Sequence, residues 1–178
     1  MGAIRAFRLA RPAVPGAQLV LAGSGASDDP EGERYRRLTE EEARGDGDIR
    51  LVHDAPDIAI NALQSFAAVV LQKSIREGFG LTVSEAMWKR RPVVGGRAGG
   101  ITLQVRHGEN GFLVGSVEEA GERVRELLRD PDLATSFGHR AREDVARSYL
   151  VTRELEDYLD LFRSLLGAPS GPRGAPAS

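Results

Sequence analysis

The chain has 178 residues, of which 41% are hydrophobic and 28% are charged, a composition typical of one ordinary globular domain. Its 24 basic and 26 acidic residues interleave to a net charge of −2, which predicts neither a nucleic-acid partner nor an anionic membrane partner. The absence of cysteine excludes disulfides and thiol catalysis. No signal peptide or long apolar span is recognised, so the cytoplasm is the expected location.

The two ends of the chain differ in composition. Residues 1–11 carry Ile4, Phe7 and Leu9 near helical spacing but no capping residue, which predicts an amphipathic helix cut from a longer chain. Residues 167–178 contain only Gly, Pro, Ala and Ser apart from Arg173, and a disordered tail is expected there. The predicted domain therefore covers residues 1–166.

Between the ends, short apolar runs alternate with helical patterns. The apolar runs predict strands at 18–22, 48–52, 67–72, 92–94 and 111–114. Helices are predicted from a start at Asp28–Pro30 to about Arg44, and at 56–65, 81–89, 117–129, 131–149 (broken near Gly138) and 152–166. This alternation predicts an α/β fold, with a Rossmann-like open parallel sheet and helices on both faces.

The segment from Glu77 to Glu85 is the most informative in the chain. It follows the third predicted strand, and ligands of open parallel sheets bind beyond the carboxyl ends of the strands. Glycines at 78 and 80 let the main chain approach a phosphate, and a helix start at 81 attracts anions. Glu85 lies one turn inside that helix, where its carboxylate can accept hydrogen bonds from a sugar diol. A nucleotide-sugar site is predicted, with a second glycine-rich loop at 95–100 on the same edge.

Some of these features also have structural explanations. Glu85 could simply pair with Lys89 at i,i+4, a contact worth about 0.2–0.5 kcal/mol. The runs 46–48 and 130–132 have the D-x-D spacing of some metal sites. Neither has neighbours that would complete a metal shell, and the three histidines share no ligand spacing. No metal is therefore predicted.

Residues 74–89, Ser-Ile-Arg-Glu-Gly-Phe-Gly-Leu-Thr-Val-Ser-Glu-Ala-Met-Trp-Lys, resemble the E-x7-E region of the retaining GT-B glycosyltransferases. More narrowly, they resemble trehalose glycosyltransferring synthases and trehalose phosphorylases. Further similar runs are 26–32, 60–64, 92–95 with 99–101, and 108–114. The resemblance spans about residues 4–166 and implies the C-terminal, donor-binding half of a GT-B fold. The N-terminal acceptor domain, and an Arg and a Lys that the family places on the diphosphate, would lie outside this chain.

The resemblance implies a role for each candidate residue. Glu85 would bind the ribose hydroxyls of the donor, and Glu77, the catalytic candidate, would lie beside the donor glucose. Val52 and His53 would border the base. The main chain that would hold the sugar and the diphosphate belongs to Gly78, Phe79, Gly80, Leu81 and Thr82. No protein nucleophile, metal or cofactor is implied, because the donor itself (ADP-, UDP- or GDP-glucose) is a substrate.

Three functions are compatible with these features. The first is the donor half of a retaining glucosyltransferase that forms or cleaves trehalose using NDP-glucose and glucose. The second is half of a phosphorylase that uses trehalose and phosphate, and the third is a non-catalytic nucleotide-binding or assembly module. In the first two, glucose or trehalose would bind through the N-terminal domain. The chain alone is expected to be inactive, to bind nucleotide weakly, and to have an exposed domain face that favours homo-oligomers.

Overall fold

The computed structural model describes residues 2–23, 30–74 and 76–167. Several predictions fall wholly or partly outside these residues. They are the helix start at Asp28–Pro30, the similar run at 26–32, the first residue of the helix at 1–11, residue 75 of the similar run at 74–89, and the tail at 167–178, of which only Gly167 is described.

Strands and helices alternate along the described chain, as the apolar runs predict. The strands are β1 (Leu19–Gly23), β2 (Ile49–His53), β3 (Val70–Gln72), β4 (Val93–Gly96) and β5 (Gly111–Val114). The helices are α1 (Gly2–Ala10), α2 (Pro30–Ala43), α3 (Asp57–Phe66), α4 (Leu81–Trp88), α5 (Ile101–Gln104), α6 (Val117–Arg129), α7 (Pro131–Ser148) and α8 (Val151–Leu165). A short 3-10 helix, Arg11–Ala13, follows α1.

Every strand pair among the described residues is parallel, which confirms the predicted α/β class. The strands are hydrogen-bonded as two sheets, one of β1 with β2 and one in the order β3-β4-β5. Helix α1 packs against both sheets. Its Ile4 and Phe7 lie in a cluster with Ile49 of β2, while Ala6 and Ala10 lie in a second cluster with residues of β4, β5 and α6.

The core lies on both faces of β4 and β5, whose residues are all buried. Because side chains alternate along a strand, Val94 faces the α1 and α6 side, while Val93 faces the α4 and α7 side. Helices therefore cover both faces of this sheet, as predicted from the sequence. Because β3 and β4 are parallel neighbours, their carboxyl ends lie at the same edge of the sheet. The glycine-rich segments at 78–80 and 95–100 lie at this edge.

Local capping explains where α6 and α7 begin. The Ser116 hydroxyl accepts a hydrogen bond from the Glu119 amide at 3.0 Å, and the Glu119 carboxylate accepts one from the Gly115 amide at 2.7 Å. Asp130 accepts from the Leu133 amide at 2.9 Å at the start of α7. Such caps satisfy N–H groups that a helix leaves unpaired at its start.

The predicted break of α7 near Gly138 is wrong, because the helix is continuous. A Cβ at Gly138 would collide with the carbonyl oxygen of Arg90, so this glycine permits close helix packing rather than a bend. The predicted loop at 95–100 begins later than expected, since Gly95 and Gly96 belong to β4. A Cβ at Gly96 would lie 2.6 Å from the Ser74 carbonyl oxygen.

Helix α8 carries apolar side chains that remain exposed, among them Leu155, Leu159 and Phe162. No helix in the described part of the chain combines the length and hydropathy of a membrane span.

Candidate functional site

The loop after β3 turns into α4 at Gly80. This residue is buried and adopts φ +85° and ψ 59°, a left-handed conformation that glycine tolerates best. A Cβ there would also lie 3.2 Å from the Ile101 side chain. The left-handed conformation therefore favours glycine at this position, and the nearby Ile101 side chain adds to that preference. The turn places the start of α4 at the carboxyl edge of the sheet.

The second glycine-rich segment packs directly against this turn. The Gly100 amide donates a hydrogen bond to the Gly78 carbonyl at 2.6 Å. A Cβ at Gly100 would lie 2.5 Å from the Phe79 carbonyl oxygen and 2.7 Å from that of Gly78. The main chains of the two loops are therefore in direct contact. They lie at the carboxyl edge of the sheet, where the sequence predicted both loops.

Gln104 on α5 forms hydrogen bonds with the main chain of the same turn. Its side-chain amide donates to the Phe79 carbonyl at 2.5 Å and to the Gly80 carbonyl at 3.5 Å, and the residue is only 1% exposed. Together with Gly100, it turns the carbonyl groups of the glycine turn toward the protein interior. The orientation of the turn is therefore set by partners on α5 and in the loop before it.

The amide N–H groups of residues 78–82 have no hydrogen-bond acceptor in the described part of the chain. They lie at the amino end of α4, which carries about half a positive charge. Gly78, Phe79 and Leu81 are exposed and Thr82 is half-buried. Unpaired N–H groups at a helix start can bind a phosphate or another anion.

Glu77 is half-buried beside this turn. One carboxylate oxygen, Oε2, accepts hydrogen bonds from the Ser74 hydroxyl at 3.1 Å and from the Gln72 side-chain amide at 3.3 Å. These contacts tie Glu77 to the end of β3. The second oxygen, Oε1, has no hydrogen bond recorded within the described residues, so the carboxylate retains accepting capacity at the edge of the turn.

Aromatic side chains line the cleft between the glycine turn and α8. Phe79 is 41% exposed, and its ring meets Tyr149 edge to face at 5.6 Å. The Tyr149 hydroxyl donates to the Leu103 carbonyl at 2.7 Å. Burial, followed by the charge of Asp144, raises the pKa of Tyr149. Tyr149 is therefore a neutral hydrogen-bond donor at ordinary pH, and it braces the turn through Phe79.

Glu85 lies in the second turn of α4, with its side chain exposed. Its Oε2 accepts a hydrogen bond from the Gln64 side-chain amide at 2.8 Å. The Lys89 ammonium donates to Gln64 Oε1 at 2.7 Å, and Gln64 thus lies between the two charged groups. A bridge through Gln64 replaces the direct pair of the Glu85 carboxylate with Lys89, the structural alternative weighed from the sequence. Lys89 Nζ also donates to the Glu85 main-chain carbonyl at 3.4 Å.

Val52 and His53 end β2, in the other sheet. They pair in register with Ala22 and Gly23 of β1, and the His53 ring lies 3.3 Å from the Glu40 carboxylate on α2. Among the residues that the structure describes, no hydrogen bond or ion pair joins these two residues to the segment 77–85. Residues 77–85 therefore lie together along the glycine turn and α4, apart from Val52 and His53. The proposed roles of both groups stay predictions.

The two D-x-D runs have structural partners. Asp46 accepts hydrogen bonds from Arg8 at 3.2 Å and Arg11 at 2.7 Å, and Asp130 caps α7. Burial would raise the pKa of Asp46, but hydrogen bonds from Arg8, the Asp48 amide and Arg11 outweigh it and lower that pKa. Within residues 2–23, 30–74 and 76–167, no three His, Asp or Glu side chains cluster as a metal shell.

Sequence reasoning missed Gln64 and Gln104. Gln64 closes the similar run at 60–64, but its partner Glu85 is 21 residues away, and the Phe79 partner of Gln104 is 25 residues away. A glutamine beside apolar residues in each of these short helices is the available signal. That signal indicates a polar partner without identifying it.

Comparison with known proteins identifies the family of the chain. Residues 2–144 match the family described as glycosyl transferases group 1. The chain is 47% identical over 170 residues to a trehalose synthase of Rubrobacter xylanophilus, covering 94% of this chain and 41% of the relative. It is 34% identical over 146 residues to a trehalose phosphorylase of Grifola frondosa, covering 72% and 19%. The chain therefore belongs to the group 1 glycosyltransferase family.

A solved structure shows the same fold. The Anabaena protein HepE, in complex with UDP and glucose, superposes with a TM-score of 0.76 at 21% identity, covering 91% of this chain and 44% of HepE. The resemblance to GT-B glycosyltransferases of the trehalose synthase and phosphorylase type is thus confirmed. The chain spans about two-fifths of the length of the trehalose synthase that it matches.

Proposed function

We propose that this chain is the donor-binding half of a retaining glucosyltransferase that forms or cleaves trehalose using NDP-glucose and glucose. One observation carries the proposal: the N–H groups of residues 78–82, which have no acceptor in the described part of the chain, lie at the start of α4, one turn before the exposed carboxylate of Glu85. An anion-binding helix start followed by a carboxylate acceptor matches a nucleoside diphosphate, in which the diphosphate is followed by the ribose hydroxyls. The 47% identity to a trehalose synthase supports the choice of sugar.

Each group has a proposed part in binding. The N–H groups of residues 78–82 bind the diphosphate and, with Glu77, border the donor glucose. Glu85 accepts hydrogen bonds from the 2′- and 3′-hydroxyls of the ribose. Val52 and His53 border the base, mainly through their backbone. UDP in the HepE complex makes UDP a reasonable first probe, and ADP and GDP are tested beside it.

The proposed chemistry needs positioning and charge stabilisation rather than a protein nucleophile. The acceptor hydroxyl approaches the anomeric carbon on the face from which the diphosphate leaves. A new C–O bond forms as the old one breaks, and the hydroxyl proton passes to the departing diphosphate. The N–H groups at α4 stabilise the charge that develops on that diphosphate. Neither a metal nor a cofactor takes part.

The acceptor, glucose or trehalose, is proposed to bind a part of the enzyme that this chain does not include. The chain alone is therefore inactive in this proposal and binds nucleotide weakly. The exposed apolar residues of α8 favour association, either with that missing part or between copies of the chain.

The phosphorylase alternative rests on the 34% identity to the Grifola frondosa enzyme. A phosphorylase would convert trehalose and phosphate to glucose 1-phosphate and glucose, whereas the proposed enzyme would convert trehalose and NDP to NDP-glucose and glucose. Assaying the full-length enzyme for both products separates the two. Glucose 1-phosphate without NDP-glucose would replace the first proposal by the second.

Calorimetric titration of the chain with UDP, ADP and GDP tests donor binding directly. Glu85→Ala should weaken binding of the preferred nucleotide at least about tenfold, because each lost hydrogen bond to a charged group contributes about 1.5–3 kcal/mol. Glu122→Ala, which removes an exposed glutamate on α6, is the matched control and should bind normally.

A 2′,3′-dideoxy nucleotide should bind the unsubstituted chain and Glu85→Ala equally weakly. If none of the three nucleotides binds at millimolar concentration, the donor-binding proposal fails. Unchanged affinity in Glu85→Ala would instead remove the ribose contact and favour a non-catalytic module.

A further inference from the structure

We propose that Gln64 is a positioning residue that fixes the Glu85 carboxylate for a pentose diol and keeps Lys89 away from it. The inference rests on the proposed function, since it concerns how the donor site is prepared before a nucleotide arrives. Its basis is a three-residue bridge between α3 and α4. Gln64 Nε2 donates to Glu85 Oε2 at 2.8 Å, and Lys89 Nζ donates to Gln64 Oε1 at 2.7 Å.

The bridge fixes the orientation of the Gln64 amide. A side-chain amide carries donors on nitrogen and acceptors on oxygen, so the nitrogen must face the carboxylate and the oxygen must face the ammonium. The reverse orientation would set donor against donor and acceptor against acceptor. Gln64 is also only 7% exposed, which leaves the amide little room for another rotamer. Its two contacts therefore hold one geometry.

This geometry leaves the Glu85 carboxylate ordered but still able to accept. Gln64 occupies one position on Oε2, and an ionised carboxylate offers about four acceptor positions. The residue is exposed, so the remaining positions face solvent. A glutamate side chain loses conformational entropy when it is ordered. Because the bridge orders it in the free protein, a diol that binds later does not incur that loss.

The bridge also separates two charges that would otherwise meet. Glu85 and Lys89 are four residues apart on α4, a spacing at which glutamate and lysine form an ion pair. Such a pair would engage the carboxylate oxygens that the diol needs. Gln64 instead accepts the Lys89 ammonium on its own oxygen. Removing Gln64 should therefore both loosen Glu85 and allow Lys89 to compete for it.

The central test is a double-mutant cycle on UDP affinity, or on whichever of UDP, ADP and GDP binds best. Gln64→Ala should weaken binding about 3- to 10-fold, as expected for the loss of one pre-ordered contact residue. In a Glu85→Ala background, Gln64→Ala should change nothing further. Additive losses would mean that Gln64 acts independently of Glu85, and would overturn the proposal.

Two further measurements separate positioning from a general loss of structure. Adding Lys89→Met to Gln64→Ala should restore part of the affinity, because it removes the competing ammonium. Asn61→Ala, an exposed change on the same helix, is the control and should bind like the unsubstituted chain. A 2′,3′-dideoxy nucleotide should not distinguish Gln64→Ala from the unsubstituted chain. A distinction with that nucleotide would count against the proposal.

A ligand-free measurement distinguishes failure of this inference from failure of the proposed function. The side-chain NH2 signals of Gln64 in a 1H–15N spectrum should move in Glu85→Ala and remain in place in Glu122→Ala. Unmoved signals in Glu85→Ala would refute the bridge and leave the donor site intact. Signals that move, in a chain to which no nucleotide binds, would instead refute the proposed function and the diol role with it.

Discussion

Replacing Gly100 by alanine tests whether the two glycine-rich segments form one unit. Its φ of −64° is acceptable to alanine, so the effect is steric. The new methyl group would lie 2.5 Å from the Phe79 carbonyl oxygen and 2.6 Å from Phe79 Cα, whereas ordinary contact begins at 3.4 Å. One loop must retreat by about 1 Å to restore that contact.

Such overpacking costs about 1–3 kcal/mol, which should lower the melting temperature by roughly 2–12 °C for a chain of this length. A shift of about 1 Å also lengthens hydrogen bonds from the 78–82 amides to a bound diphosphate beyond their useful range. Each lost bond to a charged group weakens binding about tenfold or more. Gly100→Ala should therefore reduce both thermal stability and nucleotide affinity.

Differential scanning fluorimetry and calorimetric titration measure the two effects. Gly47→Ala is the matched control, because nothing lies within 4 Å of a Cβ there and its φ is not positive. Unchanged stability and affinity in Gly100→Ala would refute the close contact between the loops. If the melting temperature fell but nucleotide affinity, measured well below that temperature, stayed unchanged, this contact would have no role in positioning the N–H groups of residues 78–82.

Three further outcomes are expected. EDTA should leave nucleotide affinity unchanged in calorimetry, and a loss restored by Mg²⁺ would contradict the metal-free proposal. Asn110→Ala removes hydrogen bonds to the Arg106 amide, the Gln104 carbonyl and Asp144. Because buried groups lose their partners, the free energy of unfolding measured in urea should fall by about 3 kcal/mol. A fall of less than about 1 kcal/mol would contradict this expectation. The pKa of Asp46 is lowered in the folded chain. The ionised Asp46 carboxylate therefore stabilises the folded state above its ordinary pKa of 3.8, and this contribution is lost as the pH falls through the pKa of the folded state. The difference in urea midpoint between the unsubstituted chain and Asp46→Asn should therefore shrink below about pH 4, and a constant difference would exclude this linkage.

Local chemistry determined much of the fold. The strand at Gly111–Val114 and the helix at Val117–Arg129 were predicted with their observed bounds, because a short apolar run and a helical pattern are both readable from neighbouring residues. The turn at Gly78 and Gly80 and the helix start after it were equally local. These signals involve residues that are neighbours along the chain.

Tertiary contacts decided the meaning of several residues that sequence patterns leave ambiguous. Gly138 can break a helix or permit a close approach, and only the carbonyl of Arg90 opposite it selects the second. The association of Gln64 with Glu85 and of Gln104 with Phe79 depends on how α3 and α5 pack around α4. A sequence specifies which groups can donate and accept, but their pairing follows from the packing of segments that lie far apart along the chain.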